Sequence, residues 1–131
     1  MPASLKAWFD QVIRINKTFT FDLSRGDFPL EPAMKDKMLL LFTSSGEFGF
    51  EDGGIRAGHD HLAPYIKTCA KYLGVDVKDS FYHLGIEYQE FRDARHAESI
   101  RRVKERITAL ADHLIVQLPK SFSPDSFCST F

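Results

Sequence analysis

The sequence predicts an α/β domain built on a parallel sheet. Three observations carry this. Two short apolar runs, MLLLF (Met38–Phe42) and SFYHLGI (Ser80–Ile86), have strand length. Two longer stretches with helical spacing alternate with them, His61–Leu73 and the stretch after Asp93. Strand–helix–strand–helix alternation with strands apolar on both faces is the pattern of parallel sheets covered by helices.

The elements follow in order. Leu5, Trp8, Phe9, Val12 and Ile13 fall at i, i+3, i+4, i+7 and i+8, one face of a first helix, with Pro2 and Ser4 suited to its entrance. TFTFD (Thr18–Asp22) alternates and reads as a short strand or half of a hairpin. Gly26, Pro29 and Pro32 make Ser24–Pro32 a loop. Met38–Phe42 is a strand expected to be buried on both faces. After a glycine-rich loop, Asp60 caps a helix, His61–Leu73, that keeps Leu62, Tyr65, Ile66, Cys69 and Tyr72 or Leu73 at helical spacing and ends at Gly74. Asp93 caps a long last helix bearing Ile100, Val103, Ile107, Leu110 and Leu114. The Ser- and Pro-rich segment 119–131 reads as a flexible tail after a domain spanning 1–118.

Composition narrows the function classes. The 131 residues are 44% hydrophobic and 27% charged, with a net charge of -1. That is a single globular domain with a core and no bulk field for nucleic acid or an anionic membrane. The opening MPASLKAWFD has no export-signal pattern, so a cytoplasmic location is expected. Cys69 and Cys128 are too few and too distant for a disulfide framework. His59 and His61 lack further ligands for a metal. Arg92, Arg95, Arg101, Arg102, Lys104 and Arg106 are interleaved with Asp93, Glu98 and Glu105, with Glu98–Arg102 as an i,i+4 pair. This reads as a solvated helix face rather than a nucleic-acid stripe. His83, inside an apolar strand, reads as a satisfied core histidine.

The passage that holds a candidate site is LLLFTSSGEFGFEDGG (Leu39–Gly54). It leaves the carboxyl end of a strand, where open α/β sheets bind ligands. It is neither a Walker-type loop nor GxGxxG. Thr43, Ser44 and Ser45 offer hydroxyls, and Gly46 allows close backbone approach to a flat ligand.

PASLKAWFDQVIRINKTFTF, LLLFTSSGEFG, LAPYIKTCAKYLGV and GIEY, in this order, resemble the FMN-dependent NAD(P)H oxidoreductases of the azoreductase and quinone reductase family. The likeness runs from Pro2 to about Leu118. It implies a flavodoxin-like fold in which Met38–Phe42 and Ser80–Ile86 are the fourth and fifth strands of a five-stranded parallel sheet with helices on both faces. It implies FMN as cofactor, NADH or NADPH as reductant, a quinone or azo compound as substrate, and a homodimer. By resemblance, Thr43, Ser44, Ser45, Gly46 and Glu47 edge the flavin ring. Phe21 lines the substrate pocket, and Tyr72 reaches that pocket from the neighbouring subunit. Glu47 departs from a glycine found in many members, and Gly49 from a histidine found in some.

The resemblance covers only the carboxyl-terminal half of the family pattern. The first three strands and the loop that grips the FMN phosphate have no counterpart in these residues. The expectation is therefore a truncated domain, completed by a second copy or a complementing chain, or else a non-catalytic remnant that does not bind FMN by itself. Charged hydrogen bonds to phosphate are among the strong ones. The chain alone is expected to bind FMN at least about a hundredfold more weakly than a complete family member, roughly 3 kcal/mol, as measured by flavin fluorescence titration. Equal affinity would contradict that expectation.

Overall fold

A computed structural model describes residues 1–117. The expected tail, Cys128 and the boundary at residue 118 lie outside the described residues. The order is α1 (Ala3–Val12), β1 (Phe19–Phe21), β2 (Leu30–Pro32), β3 (Leu39–Ser44), α2 (Leu62–Tyr72), β4 (Phe81–Ile86) and α3 (Ala94–Gln117).

β3 and β4 pair in parallel, from Leu39 against Phe81 to Ser44 against Ile86. One face of this sheet carries the main core. Phe9 of α1 and Ile66 and Cys69 of α2 are buried there against Leu39, Leu41 and Phe81. On the other face α3 packs on β4, where Leu84 and Val103 are buried. Helices thus cover both faces, as the sequence predicts. The helical spacing of α1 and α2 places their apolar stripes against the alternating inward residues of the strands.

Three local readings change. The stretch expected as a loop contains β2, which pairs antiparallel with β1 as Phe19–Pro32, Thr20–Glu31 and Phe21–Leu30. Prolines mask such a strand in a sequence, yet a two-stranded ribbon tolerates them because each strand has a free edge. Between β1 and β2, Leu23–Arg25 form a 3-10 turn, with Asp22 accepting from the Ser24 amide.

The run at β3 is not buried on both faces. Leu40 is 43% exposed and Phe42 57% exposed, because no described element covers that side of β3. On the last helix, Glu98 pairs with Arg101 at 2.6 Å rather than with Arg102, and Arg101 also pairs with Glu105. Residues i+3 and i+4 are both within reach on a helix.

Both ends of α2 are tightly specified. Asp60 Oδ1 accepts from the Leu62 and Ala63 amides and caps the helix, as expected. Gly74 ends it at φ 81°, and a Cβ there would press into the Met34 carbonyl. Gly74→Ala is therefore expected to destabilise the fold by about 2 kcal/mol, from left-handed strain and a backbone clash together. Gly26 has a positive φ but open space around it, so Gly26→Ala should cost less. Urea midpoints of the two variants check this, and equal losses would contradict it.

Candidate functional site

The site forms where β3 and β4 end. Their carboxyl ends release two loops, residues 45–61 and 87–93, which are tied to each other. The Ser45 amide donates to the Ile86 carbonyl at 2.9 Å, and the Gln89 amide donates to the Ser45 carbonyl at 3.0 Å. Ser44 Oγ donates to the Gln89 side chain. The Gly49 amide donates to Glu87 Oε1 at 3.1 Å.

Aromatic rings and two guanidinium groups brace the same junction. Phe48 stacks on Tyr88 with centroids 4.2 Å apart, and the Phe91 ring meets both edge-on. Arg95 lies over the Phe91 ring at 4.5 Å while gripping Asp93 at 2.6 Å. Arg56 covers Phe48 at 4.6 Å and donates to its carbonyl. Rings stacked under cations supply both burial and direction. Tyr88 and Arg92 hold positive φ values of 61° and 51°, backbone strain that the brace sustains.

The predicted loop residues take distinct places. Thr43 turns inward, its hydroxyl hydrogen-bonded to His83 Nε2 at 2.8 Å. Ser45 Oγ donates to the Glu47 carbonyl at 2.8 Å, closing a tight turn. The hydroxyls of Thr43, Ser44 and Ser45 are thus engaged within the protein. Among the described residues, the consecutive amides of Gly46, Glu47 and Phe48 have no hydrogen-bond partner. The exposed Glu90 side chain lies against Gly46, where a Cβ would meet it at 2.5 Å, so a ligand at Gly46 displaces a flexible side chain and no backbone. The backbone, more than the hydroxyls, is what this loop offers a ligand.

Phe21 and Tyr72 are not brought to this loop. Tyr72 ends α2 at the opposite, amino-terminal end of the strands, where its ring packs on Phe19 at 5.3 Å. Phe21 is 49% exposed two residues further along β1. Within one chain neither faces the Ser45–Phe48 turn. Sequence reading missed the brace of Phe48, Tyr88, Phe91 and Arg95, and the signal for it was present in the aromatic EYQEF beside an arginine.

Beside the loop lies a cleft of about 620 Å³ lined by Thr43, His59, His61, His83, Arg102 and Arg106, among others. His59 and His61 belong to no metal-ligating cluster among the described residues. His83 is half-buried, and its carbonyl accepts from Arg106 at 3.2 Å. Burial holds its imidazole pKa below the ordinary 6.5; the charges of Arg106 and Lys67 act the same way, and Asp60 opposes them.

A parallel sheet flanked by helices, with loops leaving the carboxyl ends of its strands, is the arrangement of a flavodoxin-like fold. Residues 1–107 match the family described as flavodoxin-like fold, and the chain belongs to that family. It is 60% identical over 114 residues to an FMN-dependent NADH:quinone oxidoreductase 2 of Idiomarina loihiensis, covering 87% of this chain and 46% of that protein. It is 59% identical to a protein of the same name from Colwellia psychrerythraea, covering 88% and 51%. An FMN-dependent NAD(P)H:quinone oxidoreductase 1 of Pseudomonas aeruginosa is 32% identical, covering 85% and 51%. The fold also matches the crystal structure of an FMN-dependent NADH-azoreductase from Bacillus anthracis in complex with FMN. The TM-score is 0.63 at 18% identity, over 85% of this chain and 50% of that one. The chain spans about half the length of the relatives it matches. No described helix is long and apolar enough to cross a membrane.

The site makes a pH prediction. A histidine with a depressed folded pKa stays neutral in the native state while the unfolded chain takes up a proton near 6.5. Its penalty is absent above that pH and grows as pH falls through 6.5 toward the folded pKa. Stability should therefore drop between about pH 7.5 and about pH 5.5, and His83→Gln should reduce the drop. Urea midpoints at the two pH values measure it. An unchanged slope in the variant would contradict the assignment.

Proposed function

We propose that this chain is the flavin-edge half of an FMN-dependent NAD(P)H:quinone or azo-compound oxidoreductase, acting in the cytoplasm. The observation that carries the reading is the run of three amides, Gly46 to Phe48, without a partner among the described residues, on a braced loop at the carboxyl ends of two parallel strands. The carbonyl and imine atoms along the edge of a flavin ring are hydrogen-bond acceptors, and consecutive amides suit them. When bound, FMN supplies the two-electron chemistry.

This chain's residues bind and orient. The Gly46–Phe48 backbone would offer its donors to the ring edge, and Ser45 holds the turn through its bond to the Glu47 carbonyl. Thr43 anchors the turn to His83. The names of the Idiomarina and Pseudomonas relatives support quinones as acceptors and a nicotinamide as reductant. Phe21 and Tyr72 lie away from the loop of their own chain, so they serve as substrate-pocket residues only at a site shared between two copies. The dimer belongs to the proposal on that ground.

A second reading has its own support. Leu40 and Phe42 are exposed on an uncompleted sheet, which fits a non-catalytic module that does not hold FMN by itself. Titration of the purified chain with FMN, followed by NADH oxidation with a quinone acceptor, separates the two. Flavin uptake with quinone-dependent turnover, by the chain alone or with a complementing half, is expected from the first. Failure to take up FMN in both conditions would leave the second.

A further inference from the structure

The turn that carries the free amides is held at its two ends by different means. At Ser45 the backbone does it. Its amide donates to the Ile86 carbonyl, and its carbonyl accepts from the Gln89 amide. Any residue that keeps the register can make such bonds. At Gly49 the hold from the neighbouring loop comes from a side chain. The buried Gly49 amide donates to Glu87 Oε1 at 3.1 Å. The carbonyl of the same peptide, that of Phe48, accepts from Arg56 Nη1 at 3.1 Å. The Phe48–Gly49 peptide plane is thus gripped on both sides. The peptide before it is gripped on one, where Ser45 Oγ donates to the Glu47 carbonyl and leaves the Phe48 amide free.

Glu87 is well placed to aim that grip. It is the first residue after β4, so the end of the parallel ladder fixes its backbone. Its own amide donates to Ser99 Oγ at 2.9 Å, and Ser99 is 3% exposed on α3. The carboxylate therefore projects from a backbone secured to both sheet and helix. Gly49 has no side chain to hold it and sits at a φ of 76°, so its place is set by what its peptide groups bond. Without the carboxylate, a buried N–H would lack a partner, and the turn would shift to hydrate it. The Phe48–Tyr88 stack holds a ring, whereas the Glu87 bond holds the peptide plane next to the free donors.

We propose that Glu87 is a positioning residue for the amides of Gly46, Glu47 and Phe48. Its carboxylate, set by β4 and Ser99, fixes the Phe48–Gly49 peptide and with it the direction of the three donors. The inference rests on the flavin-edge reading above and adds to it a residue that acts through the turn rather than on the ligand. Reach matters more than charge here. A glutamine keeps an acceptor oxygen at the same distance from the backbone, and an aspartate keeps the charge but is one methylene short. The charge itself adds strength to the bond, since ionised acceptors bind amides more tightly than neutral ones.

The test compares Glu87→Ala, Glu87→Gln and Glu87→Asp with the unaltered chain, first without flavin. In Glu87→Ala the NMR order parameters of the Glu47 and Phe48 amides should fall from about 0.85 to below about 0.6. The Gly49 amide should exchange at least about tenfold faster, while Leu41, in the β3–β4 ladder, stays within about twofold. Glu87→Gln should recover most of both, and Glu87→Asp should follow Glu87→Ala. Flavin fluorescence titration should rank the variants the same way, with Glu87→Ala at least about tenfold weaker for FMN. Unchanged order at Glu47 and Phe48 in Glu87→Ala would overturn the proposal. Equal losses at Gly49 and Leu41 would do the same, because they mark general destabilisation. Recovery by Asp but not by Gln, or FMN affinity indifferent to Glu87→Ala, would also overturn it. If the unaltered chain takes up no FMN while the order parameters keep this ranking, the flavin reading fails and the placement of the turn by Glu87 stands.

Discussion

The parallel pairing of β3 with β4, Leu39 against Phe81 through Ser44 against Ile86, is the constraint on which the other placements depend. It sets the two carboxyl ends side by side, so that the loops leaving them can bond to each other. It also presents Leu39, Leu41 and Phe81 to α1 and α2, and Leu84 to α3. Parallel strands are stable when both faces are covered. Here β4 has helices on both sides and β3 on one. The half-built sheet is therefore the source both of the site and of the exposed apolar face.

At the site, rigidity comes from exchange between loops that are distant in sequence. Gly49 bonds Glu87, Ser45 bonds Gln89, and Phe48 stacks on Tyr88. The Glu87 amide in turn donates to Ser99 Oγ, a buried hydroxyl of α3 at 2.9 Å. The turn that carries the free amides is thus connected through β4 to the long helix. Preorganised donors cost little reordering when a ligand arrives. The proposed flavin-edge role needs that property of Gly46–Phe48.

Much of this was legible in the residues themselves. The spacing of Leu62, Ile66 and Cys69 with Asp60 in front gives α2 and its cap, because helix period and capping are local. The run Met38–Phe42 gives a strand and its side-chain alternation, but not how many neighbours it has. An apolar strand states that partners are needed, while its sequence is the same whether or not they are present. β2 was hidden because Pro29 and Pro32 argue against a strand unless its free edge is known. The Phe48–Tyr88 stack and the Thr43–His83 bond join positions about 40 residues apart, so the local EYQEF pattern supplies the rings of the brace but not their partners. Tyr72 is a different case. A resemblance assigns it to the pocket of a neighbouring subunit, and its place beside Phe19 at the amino-terminal end of the strands is that of its own chain alone.

The central claim is that β3 is a central-type strand whose second edge is unpaired among the described residues. Residue-resolved amide hydrogen exchange on the chain alone tests it most directly. The account predicts alternation along β3: Leu41 and Thr43, bonded to β4, are protected, while Leu40, Phe42 and Ser44 exchange rapidly. Uniform protection from Leu39 to Ser44 would contradict it, since every amide of the strand would then already have a partner.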